Sequence, residues 1–394
     1  MSDKSRLLPA TCLAIMLALV VAGCGGGAHA TRTQTRAQSS APKQTNPCSR
    51  NATPRSFKST IAAAKPGDTV CLASGDYGNW SGTDKAITVA ASPAAVAQLR
   101  FSFGPGARGF TMTGLRGMGG TISKGASAIT IKDSAFASAV AIDGLAHADI
   151  TFDHDTFKNM SNPGCEGQPA RIHLEYSSVN PSGVLVENSQ FSGGDDDGIQ
   201  TGAPLVIKDN VFTDLRSLPS DCNHTDSIQG VGSPGVVVVG NLFYDDADGA
   251  VDFNGSARWR VTDNVCFDID RGACVSLYGD LDSVVTHNTA GPGMAVLEID
   301  TKPGSRPGRG TSFTDNVGGY RAGDGSTVAT DTGNLYPGAQ SPNIGGQPTF
   351  VGGASPATWS GFALAADSAG YASGTGNPIG IDASAHAGAG QGSG

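Results

Sequence analysis

Leu205-Val-Ile-Lys-Asp-Asn210 and Trp259-Arg-Val-Thr-Asp-Asn264 have one shape, and four more stretches share it: Gly183-Val-Leu-Val-Glu-Asn188, Val236-Val-Val-Val-Gly-Asn241, Ser283-Val-Val-Thr-His-Asn288 and Thr311-Ser-Phe-Thr-Asp-Asn316. Each reads as a short period-2 strand closed by a turn residue. Ile129-Thr-Ile-Lys-Asp-Ser134 and Ile150-Thr-Phe-Asp-His-Asp155 put Ser and Asp at the Asn place, and a bulky residue follows most units, at Phe191, Phe212, Phe243 and Phe267. The Asn returns after 22, 31, 23, 24 and 28 residues. A short strand with one apolar face cannot bury itself, but coils stacked at about 4.8 Å pair their backbones and share a core. Asn can ladder its amide along such a stack and tolerates the left-handed backbone of a turn. An antiparallel sandwich would explain the strands but not a turn residue recurring at one coil length. The period therefore predicts an all-β fold: a single-domain parallel β-helix, right-handed by the crossover rule.

A second strand lies between successive Asn turns: Asp197–Gly202, Asp226–Val231, Gly249–Asn254, Ala273–Tyr278 and Ala295–Asp300, with Arg171–Glu175 as a candidate coil before them. Aligning Ile199, Ile228, Val251, Val275 and Leu297 as inward residues turns their neighbours outward. The outward row is Gln200, Gln229, Asp252, Ser276 and Glu298. A second row is Gly202, Val231, Asn254, Tyr278 and Asp300, with Lys302 following. An exposed strand face is polar in any case, but this one carries Gln, Asp, Glu and Asn rather than Lys, Thr and Ser.

Acidic residues precede three of these strands, in Gly194-Asp-Asp-Asp-Gly198, Asn223-His-Thr-Asp226 and Asp245-Asp-Ala-Asp248. Stacking is expected to bring Asp197, Asp226 and Asp248 together, with His224 beside them. Like charges that close need a cation or a raised pKa. Two chemistries follow. Asp196, Asp197, Asp226 and Asp248 could hold Ca²⁺, which takes many oxygen ligands. Alternatively Asp197, Asp226, Asp252 and His224 could form a catalytic set in which one carboxyl stays protonated as general acid and His224 acts as base or orients one. The plain alternative is that each Asp caps its own turn, and His147, His154 and His287 read as isolated turn or surface residues.

At the N-terminal end, Phe57–Ala64 has Phe57, Ile61 and Ala64 on one helical face, followed by Lys65-Pro-Gly-Asp68, a first strand Thr69–Leu72 and a turn at Gly75-Asp-Tyr77. This resembles the N-terminal capping helix of the pectin lyase-like superfamily of right-handed β-helices. Phe350–Ile381, with Gly361-Phe-Ala-Leu364, is similar to the terminal segment of bacterial members. The resemblance covers residues 48–381 and implies fold more than function, since one fold hosts many activities. It implies that the polar rows are a saccharide-binding stripe, with Gln200, Gln229, Asn254, Glu298 and Lys302 for hydroxyls and Tyr278 for stacking on a ring. Polygalacturonases of this fold use acidic residues on neighbouring coils, as in Asp195–Asp197 and Asp226, but their Asn-Thr-Asp-Gly and Arg-Ile-Lys signatures are absent. Lyases of the fold use acidic Ca²⁺ ligands beside a Lys or Arg base, for which Lys302, Arg258, Arg260 and Arg271 are available. The epimerase Asp-Pro-His-Asp motif has only a His-x-Asp echo at His224 and Asp226. Two readings stay open: an enzyme on an acidic polysaccharide, by lyase, hydrolase or epimerase chemistry, and a non-catalytic glycan-binding or structural surface protein.

Upstream, Lys4 and Arg6, the apolar run Leu13–Val21 and Val21-Ala22-Gly23-Cys24 resemble a bacterial lipoprotein signal. The run is short for a membrane span. Residues 1–23 are then a signal peptide, Cys24 carries the lipid that ties the exported chain to the membrane, and 24–47 is a flexible tether. Six cysteines remain, Cys48, Cys71, Cys165, Cys222, Cys266 and Cys274, an even number suited to disulfides in an exported chain. Pairing of nearest neighbours is preferred because the coils bring those pairs close. The 394-residue chain, 39% hydrophobic, can bury a sizeable core, and its net charge of −9 argues against a nucleic-acid partner. A monomer is expected, with residues 382–394 as a loose tail.

Overall fold

A computed structural model describes residues 48–143, 149–161, 170–176, 183–217, 224–255, 257–301, 306–371 and 379–382. Lipidation at Cys24, the 1–23 and 24–47 segments, Cys165, Cys222 and Lys302 lie outside the described residues, as does the tail beyond Asp382.

The chain winds as a parallel β-solenoid with three faces. Thirteen described strands form the first face, beginning with Arg50–Ala52 and Thr69–Leu72 and ending with Thr311–Thr314 and Val328–Thr332. The second face runs through Thr156–Lys158, Gln190–Ser192, Val211–Thr213, Leu242–Asp246, Val265–Ile269 and Thr289–Ala290. The third runs through Ala170–Leu174, Asp197–Thr201, Ile228–Val231, Val251–Asn254, Ala273–Tyr278 and Ala295–Asp300. Near the N-terminal end the two are not yet separate: Ala135–Ile142 pairs with the second face through its start and with the third through its end.

Every pairing in these faces is parallel and, apart from register shifts at Asp76–Asn79, Met118–Gly120 and Thr311–Ser312, keeps one register, so like residues stack. Ile129, Ile150 and Val184 are consecutive partners on the first face. On the second, Phe136, Phe157, Phe191, Phe212 and Phe243 stack at centroid distances of 4.2, 4.7, 4.6 and 5.0 Å. Burial of each such ring contributes about 1.5–3 kcal/mol. Phe267 does not continue the stack. Cys266 pairs with Phe243 instead, and a one-residue slip in a strand reverses the side chain's direction. Phe267 therefore faces away from the core, against Tyr244 and Phe362 at 5.1 and 4.9 Å.

The turn ladder sits at the corner between the first and second faces. Asn241 shows its logic: its backbone N–H and its Nδ2 both donate to Asn264 Oδ1, at 2.9 and 3.0 Å, and Nδ2 also donates to Ile207 O at 3.0 Å. Asn210, Asn264, Asn288, Asn316 and Asn334 repeat this pattern. Ser134 and Asp155 take the Asn place, as expected, but in the 183–188 unit the ladder residue is Ser189, not Asn188. Asn188 occupies the preceding position, where φ is +51°. The left-handed residue is thus the one before the ladder: Asp133, His154, Asp209, Asp263, His287 and Asp315 share it. That placement accounts for His154 and His287 as turn residues.

The helix forms at Phe57–Ala63, with Phe57 and Ile61 buried. Thr69–Leu72 is not the first strand, since Arg50–Ala52 pairs before it. Gly75–Trp80 is a strand rather than a turn, paired to Ala97–Phe103, and Tyr77 Oη donates to Ala52 O and Ala73 O at 2.9 Å. The C-terminal segment lies along the flank of the second face: Phe350, Trp359, Phe362, Leu364, Ile379 and Ile381 form a second apolar cluster with Leu242 and Val265. Cys48–Cys71 and Cys266–Cys274 are disulfides, as the nearest-neighbour pairing expects.

Candidate functional site

The corner between the second and third faces carries the chemistry. Register places His173, Gln200, Gln229, Asp252, Ser276, Glu298 and Arg321 in one outward row. The five-residue row expected from the strand alternation is present, and the structure lengthens it by His173 and Arg321. Val231, Asn254, Tyr278 and Asp300 form the second row. Gln200, Gln229, Asp252 and Ser276 are nonetheless buried, because side chains of the corner close over them. The Gln200 amide donates to Gln229 Oε1, and Gln229 Nε2 donates to Asp226 Oδ2 at 3.2 Å. These two glutamines therefore brace the cluster. The half-buried Asn254, Tyr278 and Glu298 remain open to a ligand.

Asp226 is the hub, fully buried. Its N–H donates to Asp197 Oδ1 at 2.9 Å, and its own Oδ1 accepts Gly249 N–H at 3.1 Å. Gly249, not Asp248, thus takes the stacking place above Asp226. A Cβ at Gly249 would stand 2.5 Å from Asp226 Oδ1, so a glycine there makes room for the carboxylate. Asp248 reaches the cluster from one position earlier. His224 Nδ1 lies 2.9 Å from Asp226 Oδ2 and 3.9 Å from Asp248 Oδ2. Arg271 closes the arrangement, with Nη2 2.7 Å from Asp248 Oδ1 and Nη1 bonded to Asp252 Oδ2.

These contacts set the protonation states. The hydrogen bond that His224 donates to the Asp226 carboxylate holds the imidazolium, pushing its pKa up to about 9 against partial burial. Burial, then the neighbouring Asp226 charge, raises Asp197 well above the usual carboxylate range, and burial likewise raises Asp226. Arg271 is partly buried, yet Asp248 and Asp252 more than offset that, so its guanidinium stays charged.

A second, inner group lies beneath. Arg171 is fully buried, donating from Nη1 to Asp196 O at 2.6 Å and from Nη2 to Gly193 O. Burial lowers its pKa to about 10, against the nearby charges of Asp196, Asp246, Asp197 and Asp195. Asp246, pushed up to about 7 by burial, accepts from Ser227 Oγ and from Leu215 N–H at 3.1 Å.

Of the four residues expected to share a Ca²⁺, Asp196 belongs to this inner group and Asp197 Oδ1 is engaged by the Asp226 N–H. Among the described residues, the set whose ligand atoms fall within 4.8 Å of one another is His224, Asp226 and Asp248. One imidazole nitrogen among carboxylates is not the all-oxygen shell that Ca²⁺ prefers. Of the four expected catalytic residues, Asp197, Asp226 and Asp252 are buried, and His224 alone is substantially open, its side chain 33% exposed. Of the basic candidates, Arg271 is at the site, whereas Arg260 lies on the first face, paired to Val237 and Val284, and Arg258 is in a left-handed turn.

Sequence reasoning named Arg271 among the basic candidates but missed Arg171 and Tyr176. Tyr176 is 69% exposed and its backbone packs on Gly202, where a Cβ would stand 2.6 Å from Tyr176 Cα. Its ring lies beside Gly232, the residue after Val231 of the second row.

No family model and no curated protein matches the chain. Solved structures of low identity do resemble it. One is a mutant of the PL6 family alginate lyase AlyGC, at 15% identity and a TM-score of 0.49, covering 76% of this chain and 53% of that one. Another is pectate lyase Pel9A, at 14% identity and a TM-score of 0.44, covering 75% and 82%. A third is the PL6 family polysaccharide lyase Pedsa3628 from Pseudopedobacter saltans, at 14% and 0.38, covering 76% and 91%. The chain spans about half the length of the first of these.

Proposed function

We propose that the chain is an exported protein, lipid-anchored through Cys24, that acts on an acidic polysaccharide lying along the third face, as a lyase or a glycoside hydrolase. One observation carries this reading. In an acidic protein, two cations of the corner reach solvent, His224 and Arg271, with side chains 33% and 25% exposed, each fixed by a fully buried carboxylate, Asp226 and Asp252 respectively. Buried anions under exposed cations point positive charge outward, and charge-assisted hydrogen bonds to a carboxylate are the strong ones. The guanidinium has five N–H donors, so contacts to Asp248 and Asp252 leave some for a uronate. Tyr176, Asn254, Tyr278 and Glu298 flank the cations with rings and polar groups suited to sugar faces and hydroxyls. In this reading His224 is the catalytic residue, transferring a proton at the scissile bond, while Asp226, Asp252, Gln200 and Gln229 are positioning residues that touch no substrate.

The test is a panel of uronate and neutral polymers, headed by alginate and pectate, read for unsaturated-uronate absorbance and for reducing ends. His224→Ala is expected to lower turnover about 100-fold or more, the lower range for a lost proton-transfer group. Absorbance identifies a lyase, and reducing ends without absorbance a hydrolase. A second reading, binding without chemistry, is favoured by the backbone N–H bonds that Asp197 and Asp226 accept, which are what turn caps make. Retention of a polymer with no product, undiminished in His224→Ala, would establish that reading and overturn the catalytic one.

A further inference from the structure

His224, Asp226 and Asp248 meet with unlike donors. The imidazole Nδ1 is 2.9 Å from Asp226 Oδ2 and 3.9 Å from Asp248 Oδ2. The three ligand atoms all lie within 4.8 Å of one another, and atoms bound to one ion at 2.0–2.2 Å stand roughly 3–3.5 Å apart, so a contraction of roughly 1–1.5 Å brings all three onto a common centre. The remaining oxygens are already engaged. Asp226 Oδ1 accepts Gly249 N–H at 3.1 Å, and Asp248 Oδ1 is held by Arg271 at 2.7 Å. Each carboxylate is thereby oriented by a donor on Oδ1 while Oδ2 faces the imidazole, the outer-shell arrangement that fixes metal ligands.

We propose that His224 Nδ1, Asp226 Oδ2 and Asp248 Oδ2 form a site for a single divalent metal of the zinc class, with coordination positions left open toward solvent. Three protein ligands plus an exchangeable oxygen ligand is the composition of open zinc sites, and an imidazole selects borderline metals over Ca²⁺. The metal would take the place of the proton that His224 Nδ1 shares with Asp226 Oδ2 in the metal-free site. His224 and Asp248 are 33% and 21% exposed, so an entry path exists. The open positions would take water or the carboxylate or hydroxyl oxygen of a sugar.

The experiment is equilibrium dialysis of the full chain, stripped with chelator, against Zn²⁺, followed by the visible spectrum of the Co²⁺ form. One equivalent of Zn²⁺ is expected in the parent. His224→Ala and Asp248→Asn should each weaken binding by about 100-fold or more, since even outer-shell changes cost 10–100-fold. His154→Ala, at an exposed turn, should change nothing. The Co²⁺ bands should persist in His154→Ala and vanish in His224→Ala, with far-UV circular dichroism showing both variants folded. Absence of stoichiometric Zn²⁺, binding indifferent to His224→Ala, or displacement of Zn²⁺ by equimolar Ca²⁺ would overturn the site. No polysaccharide is present in this assay, so its outcome is separate from that of the polymer panel.

Discussion

Two corners of the same coils carry stacked polar side chains, and they solve the stacking problem differently. Between the first and second faces, Asn bonds to Asn through coil after coil, from Asn210 to Asn343. Between the second and third faces, carboxylates on consecutive coils require other groups around them: the Asp226 and Gly249 N–H groups, Gln229, His224 and Arg271. The difference lies in donor inventory. A carboxamide both donates and accepts, so it is its own complement, whereas an ionised carboxylate only accepts. An amide ladder can extend for as long as coils repeat. A carboxylate stack must recruit donors from elsewhere at every step, and it leaves charge at the surface where it ends.

The sharpest way to break the comparison is at its most buried cation. Arg171→Met is expected to destabilise the fold by about 3–5 kcal/mol, the cost of breaking a buried charged group from its partners, read by urea denaturation. A loss under 1 kcal/mol would mean that the neighbouring aspartates are neutral in the native state. Next comes the ladder itself. Asn264→Ala removes the acceptor of the Asn241 N–H and amide, and the donor to Val238 O and Thr262 O. At about 1–3 kcal/mol per orphaned group, with partial recovery, about 3 kcal/mol is expected.

Asp155 joins the two corners in one residue, being a carboxyl inside the amide ladder. Its Oδ1 accepts Ser134 N–H at 2.8 Å, its buried Oδ2 has no hydrogen-bond partner among the described residues, and burial pushes its pKa up to about 8. A protonated carboxyl imitates the amide. Because the folded pKa lies above the unfolded one, the native state holds the extra proton. Its contribution is complete below the unfolded value near 4 and is lost as pH rises through about 8. Asp155→Asn should therefore gain on the parent as pH rises, by roughly 5 kcal/mol between pH 4 and pH 8, with the gap closing as pH falls toward 4. A gap that does not change with pH would exclude the protonated state.

Much of this was legible in local pattern. Period-2 alternation within each coil is a local property, so it located the inward residues Ile199, Ile228, Val251, Val275 and Leu297 and the outward row from Gln200 to Glu298. The recurring Asn located the ladder. Two errors within the repeats were single-residue ones: Ser189 for Asn188 and Gly249 for Asp248. Each arises because a turn of variable length separates the strands, and sequence spacing does not say where the turn absorbs a residue.

The sequence by itself determined a parallel solenoid, its ladder corner, its polar rows and an acidic corner, because these repeat and repetition is written in the chain. Only the tertiary structure decided which acids are buried, which are paired, and by what. Arg171 and Arg271 recur nowhere in register. They reach their partners across neighbouring coils, 25 residues away at Asp196 and 19 away at Asp252. Long, flexible side chains are placed by packing and charge rather than by period, so the chemistry of the acidic corner appears only once the coils are stacked.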